Sequence, residues 1–166
     1  MRVMFKGHKS GVNNIDFSPD CHSLVSASDD KTVRIWNIRD GSSMVLPVTG
    51  SPSYFISVVF SPDGRYVAAG NVGKSLWIWD SRTHRLVAKW WGHTSGVWCI
   101  KFTPDSNGLI SGGSDRTVKF WDISLLGDLQ GVASGTVVNE EQCFPLLRSF
   151  SGHDVRCALL LSRNVD

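Results

Sequence analysis

Histidine, serine and aspartate stand together twice in this chain at matching distances. His8 is followed by Ser26 and Asp30, and His93 by Ser111 and Asp115, in both cases eighteen and twenty-two residues along. These residue types are the parts of a hydrolytic triad, in which a histidine activates a serine hydroxyl and a carboxylate orients the histidine. Two features argue against that chemistry. A nucleophile is needed once, whereas this set recurs, and each copy is tied to a tryptophan: Trp36 lies ten residues after Ser26, and Trp121 ten after Ser111. No Gly-x-Ser-x-Gly elbow or oxyanion-type loop accompanies either copy. The set reads as a scaffold part, so no catalytic residue, cofactor or metal site is expected.

Other chemistry is equally thin. Cys21, Cys99, Cys143 and Cys157 share no metal-ligand spacing, and without a signal peptide they read as reduced thiols of a cytosolic or nuclear protein. The net charge of +2 is spread without runs, so direct nucleic-acid contact is not expected. No run of eighteen apolar residues occurs, and no membrane span is expected.

The elements that must position these residues are legible as a repeat. Trp36, Trp79 and Trp121 are 43 and 42 residues apart, and nineteen residues before each stands a phenylalanine opening one turn: FSPD at 17–20 and 60–63, FTPD at 102–105. Gly-His precedes Phe17 and Phe102 at 7–8 and 92–93, and appears again at 152–153. Within each unit, stretches such as VNNIDF, LVSAS and KTVRIW are β-branched or aromatic, alternate, and are split by Pro-Asp and Asp-Asp turns. A fourth strand is expected at MVLPV (44–48), LVAKWW (86–91) and LLRSF (146–150), and RVMFK (2–6) should be such a strand of a preceding unit. The expected fold is all-β.

Gly-His, about forty residues and Trp-Asp resemble the WD40 repeat, whose four antiparallel strands form one blade of a β-propeller. The resemblance covers 1–153, with units at about 7–49, 50–91 and 92–151: three complete blades and the start of a fourth, an incomplete propeller. Residues 124–145 form a long, surface-loop-like insert, and 154–166 are an off-pattern truncated tail. The wording SPDGRYVAAG, WDS and SGGSDRTVKFWD is similar to fungal Tup/Groucho-type transcriptional corepressors.

The resemblance implies a hydrogen-bond chain from Trp to Ser to His to Asp in each blade. Here that means His8–Ser26–Asp30–Trp36 and His93–Ser111–Asp115–Trp121. The middle unit has lost it, with Ser51, Ala69 and Gly73 at the aligned positions, and must be held by apolar packing and its neighbours. Repeat drift and adaptation to a partner both remain open as causes. Trp77 and Trp90 are expected as diagonal neighbours across two strands, and with Trp91 they either pack against the third blade and the insert or form a contact patch.

The resemblance also implies a non-catalytic, protein-binding scaffold in the nucleus, or otherwise the cytoplasm. As a corepressor propeller it would dock on DNA-bound repressors and chromatin components. Partner contacts carry over to Gly11, Asn13 and Asp29 in the first unit, Tyr54, Ile56 and Val72 in the second, and Gly96, Trp98 and Ser114 in the third. WDSR at 79–82 offers a rival, a substrate receptor of a cullin-type ubiquitin ligase, although Gly73 stands where that signature's preceding acid belongs. WNIR at 36–39 has that acid in Asp30 but lacks the aspartate after tryptophan. A generic scaffold in RNA processing or signalling is the remaining alternative. Open blade edges are expected to promote self-association or partial unfolding.

Overall fold

The structure, a computed structural model, describes residues 4–126 and the backbone of 146–151. Twelve strands form three four-stranded antiparallel sheets, each from strands consecutive in sequence. The first blade holds β1 (Val12–Phe17), β2 (Ser23–Ser28), β3 (Val33–Asn37) and β4 (Ser43–Val45). The second holds β5 (Phe55–Phe60), β6 (Tyr66–Asn71), β7 (Ser75–Asp80) and β8 (Leu86–Trp91). The third holds β9 (Val97–Phe102), β10 (Gly108–Gly113), β11 (Thr117–Asp122) and β12 (Leu146–Ser151). Innermost strands β1, β5 and β9 lie side by side. Beyond strands and turns, the described residues contain only a 3₁₀ turn at 124–126.

Turn chemistry sets the spacing of the strands. In the first blade Ser18 donates to the Asp20 carboxylate at 2.5 Å, and the same oxygen accepts the His22 N–H at 2.9 Å. Ser61, Asp63 and Arg65 repeat this in the second, and Thr103, Asp105 and Asn107 in the third. Each turn needs one left-handed residue, supplied by Cys21, Gly64 and Ser106 at φ of 58°, 74° and 62°. Glycine meets that need without strain; the other two rely on the surrounding bonds.

Alternation along each strand sends its two faces to two neighbouring blades. In β7, Trp77 and Trp79 join Val25, Ala27, Val33, Leu46, Phe55 and Val58 between the first and second blades. Leu76 and Ile78, on the other face, join Trp90, Val97, Ile100, Leu109 and Trp121 between the second and third. That double burial explains why LWIW is an unbroken apolar run and why SLWIWD is buried at every position but its last. Fully buried side chains of this size contribute about 1.5–3 kcal/mol each, so adjacent blades stabilise one another.

Several expected details differ. β4 stops at Val45 because Pro47 has no N–H to continue the ladder, although the Leu46 N–H still reaches the Val33 carbonyl at 2.9 Å. Residues 4–8 form no strand: an outer strand pairs with the third strand of its own blade, and none precedes it among the described residues. Instead Phe5 rests edge-on against Trp36, with ring centroids 5.8 Å apart.

Trp77 and Trp90 are not neighbours on one face. The β7–β8 register shifts between Ile78 and Trp79, setting Trp77 opposite Lys89 and Trp90 opposite Leu76. A one-residue shift turns side chains to the other face. Trp77 therefore stacks on Trp79 towards the first blade, Trp90 packs on Trp121 towards the third, and Trp91 alone is exposed. Most of the long insert (127–145), the Gly-His at 152–153, the tail at 154–166, and Cys143 and Cys157 lie outside the described residues. Cys21 is a free, exposed thiol.

Candidate protein-interaction face

Two hydrogen-bond chains fasten the loops at one end of the strands. His8 Nδ1 lies 2.8 Å from the Asp30 carboxylate, its Nε2 lies 2.6 Å from Ser26 Oγ, and the Trp36 indole donates to that oxygen at 2.7 Å. His93, Asp115, Ser111 and Trp121 repeat this at 2.8, 2.7 and 2.8 Å. A carboxylate only accepts, so Nδ1–H donates to aspartate and Nε2 accepts from serine. The order matches a hydrolytic triad, but Ser26 and Ser111 are buried and their oxygens already accept an indole N–H. Neither hydroxyl can meet a substrate.

Burial would raise the Asp115 carboxyl, yet bonds from Thr117, the Thr94 N–H and His93 hold it down at about 2. Asp30 is lowered in the same way, by Thr32, the Lys9 N–H and His8 against its burial. Burial also drives the His93 imidazole below its ordinary value, over the opposing pull of Asp115. The glycine before His93 is needed for close approach: a Cβ on Gly92 would sit 2.3 Å from Leu76 and 2.9 Å from Trp121.

The middle blade satisfies its tryptophans differently. With Ala69 beneath it, the Trp79 indole donates to the Pro47 carbonyl of the preceding blade at 2.6 Å. Beside it, Trp77 donates to Ser75 Oγ at 2.8 Å, and Ser75 donates to Asn71 at 2.9 Å. A polar chain of its own thus supplements the apolar packing. Trp77 also covers Trp79 in the place where Arg34 covers Trp36 and Lys119 covers Trp121.

At this end of the strands each innermost strand carries a β-bulge at one equivalent position. The β1–β2 register shifts between Val12 and Asn14, β5–β6 between Phe55 and Ser57, and β9–β10 between Val97 and Cys99. The residues left over are Asn13, Ile56 and Trp98. Bulges re-aim side chains and gather beside functional surfaces. Beside each bulge one backbone bond recurs, from the N–H of Asp29, Val72 and Ser114 to the carbonyl of Gly11, Tyr54 and Gly96.

These positions meet across blades. Asn13 bridges Asp29 (2.7 Å) and the Phe55 carbonyl (2.9 Å), and Lys31 Nζ lies 5.8 Å from the centre of the Tyr54 ring. A Cβ on Gly96 would be 3.3 Å from Val72 Cα, so Gly96 is buried where the second and third blades meet, and is not itself a contact. Tyr54, Val72 and Trp98 are 47%, 39% and 43% exposed, large for apolar side chains in a well-packed sheet, and Ile56 is half-buried between them. The Trp98 indole donates to Ser114 Oγ, which orients the ring. Around the strip stand Lys31, Lys74 and Arg116, each left-handed at the same turn. Reading the repeats in register would have found these cations; nothing in the residue types announced the bulges.

Three equivalent blades, each with its repeated tryptophan on the third strand, are what the comparison with known families detects. The profile described as "WD domain, G-beta repeat" matches residues 1–37, 44–80 and 84–122. The chain belongs to the WD40 repeat family. Among WD40 relatives, it is 32% identical over 127 residues to WD repeat-containing protein 3 of Homo sapiens, covering 76% of this chain and 13% of that protein. Periodic tryptophan protein 2 of Arabidopsis thaliana is 32% identical over 122 residues, 73% of this chain and 14% of the relative. Transcription initiation factor TFIID subunit 5 of Caenorhabditis elegans is 32% identical over 154 residues, 91% of this chain and 20% of the relative. The WD40 repeats of RRP9, a solved crystal structure, superpose with a TM-score of 0.75 at 23% identity over 90% of this chain and 41% of theirs, a likeness of fold. The chain thus spans a fifth or less of these curated relatives.

Proposed function

We propose that this chain is a non-catalytic protein-interaction scaffold whose docking surface is the face bearing Asn13, Asp29, Tyr54, Ile56, Val72, Trp98 and Ser114. The observation that carries the reading is the recurrent bulge, which turns one residue per blade outward and completes a contiguous aromatic and apolar strip. Exposed aromatic anchors of this kind dominate protein interfaces. Lys31, Lys74 and Arg116 at its rim suit a partner whose apolar anchor is flanked by acidic side chains.

Membership in the WD40 family supports the scaffold reading, and it favours a generic scaffold, in RNA processing or signalling, over a corepressor. The relatives named above carry other names than Tup/Groucho-type corepressor. They also differ from one another, so what they share with this chain is the blade and not one partner. DNA-bound repressors and chromatin components accordingly have the weaker support as partners. The nuclear location stays within the proposal, with a transcription initiation factor subunit among the relatives. The ubiquitin-ligase reading would use a different surface, because Arg39 and Arg82 are exposed on turns at the opposite end of the strands from Trp98.

Affinity purification of the whole protein from its native cells, with mass spectrometry, tests the assignment when Trp98→Ala and Tyr54→Ala are run beside the parent. Both variants should melt normally and lose the same co-purifying proteins. If both fold and retain the parental partners, the docking surface lies elsewhere.

A further inference from the structure

Four Ser-Pro or Thr-Pro pairs stand in this chain, at 18–19, 51–52, 61–62 and 103–104. Three of them open the turn after an innermost strand, where the hydroxyl already donates: Ser18 to Asp20, Ser61 to Asp63 and Thr103 to Asp105. Ser18 and Ser61 are also buried. The fourth differs. Ser51 is exposed on the irregular segment at 46–54, and its hydroxyl has no hydrogen-bond partner among the described residues. Each tie that holds the equivalent segments is missing here. Lys9 and Thr94, the residues after His8 and His93, donate their N–H to Asp30 and Asp115. The residue after Ser51 is Pro52, which has no N–H, and Gly73 replaces the aspartate. From Val48 to Ser53 no backbone N–H donates a hydrogen bond among the described residues. A cation stands nearby instead. Lys89 Nζ lies 3.4 Å from the Thr49 carbonyl and 3.9 Å from the position a Cβ on Gly50 would take. Trp77 and Trp91 hold it there, with ring centres 4.5 and 4.7 Å away.

We propose that Ser51 is a phosphorylation site for a proline-directed serine/threonine kinase, and that Lys89 receives the phosphate. Pro52 suits such an enzyme, because it has no N–H for an apolar pocket to leave unpaired. It also biases Ser51 towards the extended backbone that a kinase cleft takes. In the transfer, the Ser51 oxygen bonds to the γ-phosphorus of a nucleoside triphosphate, and the bond from that phosphorus to the β–γ bridging oxygen breaks. The nucleoside diphosphate leaves, and the hydroxyl proton passes to a base of the kinase. The product carries a charge of about −1.5 to −2 at neutral pH. Consecutive Cα atoms are about 3.8 Å apart, so a phosphate on Ser51 is within a side chain's reach of the ammonium beside Gly50. There it forms charge-assisted hydrogen bonds. The phosphate is thus the anion the middle blade lacks, and fastens this segment as Asp30 and Asp115 fasten theirs. The site lies between the first and second blades and shares no residue with the proposed docking surface.

Incubating the full chain with a proline-directed kinase and ATP, followed by mass spectrometry, tests the acceptor. One phosphoryl group should appear, on the peptide carrying Ser51. Ser51→Ala should abolish it, and Pro52→Ala should slow it at least tenfold while melting as the parent does. Hydrogen exchange then tests Lys89. Amides from Thr49 to Ser53 should exchange roughly tenfold more slowly in the phosphorylated chain. Lys89→Gln should remove that slowing and still take up the phosphate. A parent that takes up none overturns the proposal, as does Ser51→Ala that takes up as much, or phosphate on Ser18 or Ser61 instead. Slowing that is absent from the parent, or that survives in Lys89→Gln, overturns the role given to Lys89.

Discussion

Ser111→Ala isolates the hydrogen-bond chain from packing, because it removes one oxygen and leaves no large cavity. Ser111 is fully buried, and its Oγ donates to His93 Nε2 and accepts the Trp121 indole N–H, at 2.7 and 2.8 Å. Without it a buried donor and a buried acceptor both lose their partner. Each orphan costs about 1–3 kcal/mol, and the pair less than the sum because His93 can relax towards Asp115, so the expected loss is about 2–4 kcal/mol. That is a large fraction of the roughly 5–15 kcal/mol holding an ordinary domain. Ser51→Ala is the control: it occupies the histidine position of the middle blade, is exposed, and should change stability by less than about 0.5 kcal/mol. Urea unfolding followed by tryptophan fluorescence, at one fixed protein concentration, measures both. Equal effects at Ser111 and Ser51 would refute the reasoning.

Stability should fall as pH drops below about 6.5: the unfolded chain then protonates His93, whose folded pKa lies lower, so the unfolded state binds more protons. A second loss should follow below the ordinary aspartate value of 3.8, as Asp115, held at about 2, begins to favour the unfolded state. Urea midpoints that stay constant from about pH 7.5 to 5 would contradict the first part. Gly92→Ala should destabilise by about 1–3 kcal/mol through overpacking, since its Cβ would meet Leu76 at 2.3 Å; Gly11→Ala, with only Asp29 at 3.3 Å, should cost less in the same melts. Phe55→Ala should cost about 3–5 kcal/mol, because the ring is fully buried between two blades and packs against Trp77 and Trp79. A loss below about 1 kcal/mol would show that the interface can collapse around the gap.

The blades were legible because their signals are local and repeated. Pro-Asp turns, alternating strands and the recurring tryptophan each state a strand boundary in residue types, and the repeat multiplies the signal. What escaped was register. No residue type marks the shift in β8 that parts Trp77 from Trp90, nor the bulges that turn Asn13, Ile56 and Trp98 outward, because a bulge is fixed by how two strands meet. The loss of Ser, His and Asp in the middle blade was plain to read, but the replacement by Pro47, Ser75 and Asn71 was not. It draws on a carbonyl 32 residues away and on a serine that no repeat pattern singles out. The residues of the candidate face were carried over by resemblance, and only the three-dimensional arrangement joins them into a strip and removes Gly96 from it.

Titration calorimetry of a recovered partner against the parent, Trp98→Ala and Leu125→Ala tests most directly whether the bulge-presented strip is the docking surface. Leu125 is 64% exposed beyond the far end of β11 and serves as an exposed apolar control away from the strip. An anchor worth about 2 kcal/mol or more predicts a loss of roughly thirtyfold or greater for Trp98→Ala, with Leu125→Ala binding as the parent does. Unchanged affinity for a correctly folded Trp98→Ala, or a comparable loss for Leu125→Ala, would contradict the account.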